Sequence, residues 1–88
     1  MDKNRINTKE LDVQVLSSTK ALYSGKATAV SSFNEIGPFD VLPLHENFIS
    51  LIRDKVTVIG TTGQRQQINF VRGLLEVSEN RVRVFVGI

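Results

Sequence analysis

Apolar and polar side chains alternate along most of this chain, the pattern of strands with one face in a core and the other in water. Leu11, Val13 and Val15 alternate with Asp12 and Gln14, and Ser17-Ser18-Thr19 then interrupts the run. Lys20 to Tyr23 can pair again before Gly25, and residues 27–33 form a second extended stretch that ends in the turn formers Asn34 to Gly37. Phe39 to Leu42 is short and bounded by Pro38 and Pro43, which cannot donate to a ladder and so place it at a sheet edge or strand end. Phe48 to Ile52 is apolar and partly β-branched, and Arg53-Asp54-Lys55 reads as a turn. Val56 to Ile59 then leads into Gly60-Thr61-Thr62-Gly63, a glycine-bearing hairpin connection. Beyond it, residues 66–71, residues 73–77 and Val82-Arg83-Val84 alternate again, with a tight turn at Ser78-Glu79-Asn80.

This spacing predicts an all-β fold, a small antiparallel β-sandwich of nine to ten short strands. No window of helical length places apolar residues at i, i+3, i+4 and i+7. Residues 44–52 could set Phe48, Ile49 and Ile52 on one helical face, but their β-branched content and the nearby prolines favour a strand. The five phenylalanines and one tyrosine are spaced as core fillers, about one per strand. Residues 1–9 are polar and read as a flexible tail, leaving a single domain over residues 10–88.

Composition narrows the chemistry. There is no cysteine, so disulfides and thiolate metal sites are excluded. The formal charge is +2 with a sequence pI near 9.3, but the charges are interspersed rather than gathered into the basic stripe of a nucleic-acid binder. Arg81 and Arg83, alternate residues of one strand, read as a solvated face. No apolar run approaches the roughly 18 residues of a membrane span, and the start of the chain lacks the apolar middle of a signal peptide. A cytoplasmic location is therefore expected, unless a partner holds the chain at a membrane.

His45 is the single histidine. A hydrolytic site would need a nearby hydroxyl and an orienting carboxylate; Ser50, Asp40 and Glu46 are available, but no motif ties them to it. Gly60-Thr61-Thr62-Gly63 lacks the lysine and the following helix of a phosphate loop, and a hairpin turn accounts for it. No metal and no cofactor are expected. Two classes other than an enzyme remain: a small β-barrel module binding nucleic acid or protein, and a docking subunit.

The segment from Asn34 to His45 favours docking. Gly37 permits a turn, Pro38 and Pro43 stiffen the backbone, and Phe39, Val41 and Leu42 crowd enough apolar surface to turn at least one side chain outward. A stiff loop with an apolar anchor binds with little ordering cost.

The motif Gly37-Pro38-Phe39-Asp40-Val41-Leu42-Pro43-Leu44-His45, preceded by Tyr23-Ser24-Gly25, resembles the N-terminal domain of the epsilon subunit of F-type ATP synthases. Gly73-Leu74-Leu75-Glu76-Val77, with Asn80, Val82 and Val84, resembles the end of the same domain. The resemblance runs from about Leu11 to Val86. It implies a non-catalytic central-stalk role in a proton-translocating rotary synthase, with the gamma subunit and the membrane ring of c subunits as partners, on the cytoplasmic face of the membrane. By motif position it implies ring-facing roles for Glu35, Pro38, Phe39 and His45, and a place beside gamma for Val41 and Leu42. Asp40 and Leu44 stand where the family commonly has glycine, and Arg72 where a second glycine is frequent. Family members usually continue into a C-terminal helical hairpin; Ile88 falls close to where the sandwich ends, so no regulatory role of that hairpin is carried over.

Overall fold

The computed structural model describes residues 8–88. The expected flexible tail lies mostly outside the described residues; Thr8 and Lys9 are exposed. Six strands follow in order: β1 (Leu11–Leu16), β2 (Ala21–Phe33), β3 (Pro38–Val41), β4 (Phe48–Gly60), β5 (Arg65–Ser78) and β6 (Arg81–Val86). Their spatial order is β1-β6-β5-β4-β2-β3, and β1 also pairs with β2. Five strands thereby close on themselves like a barrel, with β3 added outside β2.

Nine to ten short strands were expected, and the six observed include three long ones. The difference lies in breaks that bend a strand without ending it. Arg53-Asp54-Lys55 is not a turn: the β4–β5 register shifts there and resumes at Lys55↔Asn69, with Asp54 at a φ of 76°. One residue in the left-handed region bulges the strand and sharpens its twist while pairing continues. Opposite it, β2 skips from Ser31↔Thr57 to Phe33↔Arg53, and the Ser32 hydroxyl donates to the Lys55 carbonyl at 2.7 Å. The Lys55 carbonyl at the irregularity is thus met by a side chain, as a carbonyl partly withdrawn from water requires.

A second correction concerns strand direction. The β1–β6 pair is parallel, Val13 opposite Val82 and Val15 opposite Val84, while the other pairs are antiparallel. Parallel neighbours need a long connection, and here nearly the whole domain serves as one.

The core follows the alternation closely. Leu11, Val13 and Val15 of β1, Val56 and Val58 of β4, Leu75 and Val77 of β5, and Val82 and Val84 of β6 are all buried. The aromatics do not fill this core as their spacing suggested. Tyr23, Phe39, Phe48 and Phe70 are partly buried and pack around its margin, whereas Phe33 lies under the Lys55 ammonium, 5.8 Å from its ring centre. A core built largely from valine leaves little room for a ring between closely spaced strands. At Gly73 an added Cβ would lie 2.7 Å from the Phe85 carbonyl oxygen, so close approach of β5 and β6 demands glycine there.

A pinned loop as the candidate docking site

The segment from Asn34 to Asn47 is held at several points by asparagine side chains. Asn34 closes the β2–β3 connection: its Oδ1 accepts from the amides of Ile36 at 2.9 Å and Gly37 at 3.2 Å, and its backbone exchanges hydrogen bonds with Gly37. An asparagine carbonyl that copies a backbone turn is the usual chemistry of such a corner. Glu35 and Ile36 consequently stand at the tip, with Ile36 93% exposed.

Along β3 the side chains alternate. Pro38 and Asp40 face water, and Asp40 accepts from the Ser31 hydroxyl at 2.6 Å. Phe39 and Val41 turn inward. Phe39 is half-buried, edge-on to Phe48 with ring centres 6.1 Å apart. Val41 is completely buried in the core, so its side chain offers no contact area beside gamma; it anchors the base of the loop instead. Leu42, next in sequence, points outward and is 55% exposed.

Residues 42–45 form a tight turn closed by the His45 amide on the Leu42 carbonyl at 3.1 Å. Pro43 supplies its second position and Leu44, with a φ of 70°, its third. That is the arrangement of a type II turn, whose third position favours glycine, and it explains physically why glycine is common there in the resembled family. A leucine in the left-handed region costs about 1–2 kcal/mol. The Leu44 amide donates to Asn80 Oδ1 at 2.8 Å, and Asn80 Nδ2 donates to the Glu10 carbonyl at 2.9 Å. The Glu79 amide donates to Asn47 Oδ1 at 2.9 Å. Glu79 and Asn80 both have positive φ, at 51° and 64°, as a two-residue hairpin turn requires.

His45 is exposed, its ring 4.9 Å from Phe48 and its Nδ1 2.8 Å from the Glu46 carbonyl oxygen. Two of the three groups considered for a hydrolytic site, Ser50 and Asp40, are engaged elsewhere. The Ser50 hydroxyl donates to the Leu51 carbonyl and accepts from Asn34, and Asp40 is bound to Ser31. The structure places Glu35 at the β2–β3 tip, Pro38 and Phe39 on β3, and Leu42 and His45 in the turn after it, and assembles no catalytic constellation from them.

Three basic side chains elsewhere are drawn into ion pairs. Arg83 donates through Nε and Nη2 to one Glu76 oxygen, at 3.0 and 2.8 Å. Arg53 pairs with Asp54, and Lys26 with Asp12, each at 2.8 Å. The hydrogen bond to Asp12 and its charge hold the Lys26 ammonium above the usual lysine pKa. The Gly60–Gln64 connection is a closed hairpin turn, the Gly60 amide donating to the Gln64 carbonyl at 2.8 Å, and not an anion cradle.

Sequence reasoning missed a second apolar surface. Ile49 and Leu51, on the outer face of β4, are 65% and 70% exposed. With Ile36, Arg53 and Arg72 they line an open groove of about 480 Å³. The missed signal is that Phe48-Ile49-Ser50-Leu51-Ile52 is apolar at both parities, more than a strand with one wet face needs.

Comparison with known proteins agrees with this architecture. Residues 10–87 match the model of the ATP synthase delta/epsilon chain β-sandwich domain. Relatives include the ATP synthase epsilon chains of Corynebacterium aurimucosum, 32% identical over 85% of this chain and 63% of the relative, and of Bordetella petrii, 35% identical over 84% of this chain and 53% of the relative. The chain thus spans a little over half the length of these curated relatives. Among solved structures, a chain of the Euglena gracilis mitochondrial ATP synthase OSCP/F1/c-ring assembly superposes with a TM-score of 0.85 at 15% identity, covering 97% of this chain and 54% of that one. A chain of the Tetrahymena thermophila mitochondrial ATP synthase central stalk/c-ring gives 0.75 at 9% identity, covering 89% and 63%. Fold, motif order and sequence similarity agree, and the chain belongs to the family of ATP synthase delta/epsilon chain β-sandwich domains.

Proposed function

We propose that this domain is a non-catalytic coupling element of a rotary, proton-translocating ATP synthase, joining the gamma subunit to the membrane ring of c subunits. The observation that carries the reading is the pinned, outward-facing loop from Asn34 to Asn47 on a domain of this family. Such a loop docks with little loss of conformational freedom, and a close-packed body behind it transmits torque rather than absorbing it. Glu35, Pro38 and His45 face the ring together with the part of Phe39 left uncovered by Phe48, and Leu42 lies beside gamma. In this role the chain sits peripherally on the cytoplasmic face of the membrane, held there by its complex.

The test is co-expression of the chain with the gamma subunit of the same organism. Co-purification at moderate salt, without ATPase activity of the isolated domain, is the expected result. Loss of gamma at that salt, or nucleotide hydrolysis by the domain alone, overturns the reading.

A further inference from the structure

Four non-glycine residues among those described have positive φ: Leu44, Asp54, Glu79 and Asn80. Asn and Asp tolerate the left-handed region because their short polar side chains bond locally, and Glu79 belongs with Asn80 to the two-residue β5–β6 turn. Leu44 has no such account. It is apolar, sits at the glycine position of a type II turn, and leaves its side chain 53% exposed. Backbone and side chain both disfavour leucine at this place, and glycine would relieve both. Strain of this kind persists where the surrounding structure enforces it, and it gathers at sites of function.

The enforcing residue is Asn80, which receives the Leu44 amide on Oδ1 while its Nδ2 is tied to the Glu10 carbonyl. We propose that Leu44 is a specificity-determining residue of the docking loop, an apolar side chain held out toward the c-subunit ring, and that Asn80 is its positioning residue. This inference rests on the coupling role proposed above. Charge identifies the matching surface. Residues 34–47 carry Glu35, Asp40 and Glu46 and contain no lysine or arginine. A hollow of about 290 Å³ beside Leu44 is lined by Glu46 and Glu79, whereas Arg81 lines a different hollow with Asp12 and Lys26. The complementary ring surface is an apolar patch flanked by a basic side chain, so that leucine and carboxylates are satisfied together.

The experiment measures melting temperature and binding to a purified gamma–c-ring subcomplex for the full chain and its variants. Leu44→Gly should melt higher by about 2–5 °C, since relief of the left-handed penalty is partly offset by the larger entropy glycine loses on folding and small domains shift several degrees per kcal/mol, yet bind about tenfold or more weakly, as loss of an interface anchor does. Leu44→Ala keeps the left-handed penalty and loses the side chain, so it should bind as weakly without melting higher. Asn80→Ala should weaken binding in the parent but add nothing once Leu44 is glycine, the non-additivity expected of a positioning residue. Failure of the unaltered chain to bind the subcomplex overturns the coupling role itself. Undiminished binding by Leu44→Gly or Leu44→Ala, with the unaltered chain bound, overturns the assignment of Leu44. Additive losses from Asn80→Ala overturn the assignment of Asn80.

Discussion

Two connections of this domain join strands that follow one another in the chain, β4 to its antiparallel partner β5 and β3 to β4, which runs in the same direction as β3, and they are built differently. The β4–β5 tip is made of Gly60, Thr61, Thr62, Gly63 and Gln64, with Gly63 supplying the positive φ of 88°. Thr62 bonds Gln64 through both its amide and its hydroxyl. Every exposed side chain there is polar, and folding alone explains the sequence. The connection from β3 to β4 places leucine where glycine fits, exposes Leu42 and Leu44, and recruits Asn80 from another hairpin to hold the result. A surface that folding alone would not select is what the proposed docking role requires, and the plain hairpin tip lacks one.

That contrast assumes one shared core beneath both connections. Its sharpest test is Leu75→Ala, which removes a fully buried side chain and should cost about 2–5 kcal/mol, measured by denaturant unfolding. Amides of both connections should then lose hydrogen-exchange protection together; protection that survives in residues 34–47 alone would show that segment to be independent of the core. Phe39→Ala should have a smaller effect. The resemblance implies a ring-facing role for Phe39, and its half-buried contact with Phe48 adds a structural share. A stability loss of about 1–3 kcal/mol is expected, on the scale of a partly exposed aromatic truncation, with weaker binding to the gamma–c-ring subcomplex. Thr61→Ala, at the exposed hairpin tip, should change stability by less than about 0.5 kcal/mol and leave binding intact. A binding defect in that variant would break the comparison, since the plain connection would then also be an interface.

Much of the fold was legible because one side of each strand must avoid water. The alternation at Leu11, Val13, Val15, Val82 and Val84 reports burial directly, and these residues are all buried. Strand ends were less legible, because Arg53-Asp54-Lys55 has the composition of a turn whether it reverses the chain or only bulges it. What decides is pairing to β5, a contact made from far along the sequence. The parallel β1–β6 pair is illegible for the same reason, since no local signal marks which distant strand will close the sheet.

At the candidate site, proline, glycine and asparagine announced a stiff corner, but not its facing. Val41 and Leu42 are adjacent and alike in sequence, and only the position of β3 on β2 turns one into the core and the other outward. The role of Asn80 depends on a contact 36 residues away in the chain, and no spacing rule could have supplied it.

Hydrogen exchange of the full chain, free and bound to the gamma–c-ring subcomplex, tests the docking assignment most directly. The account predicts new protection across residues 34–47, including the amides around Leu44, and little change at residues 60–65. Protection confined to the β4–β5 tip, with residues 34–47 exchanging as in the free chain, would contradict it.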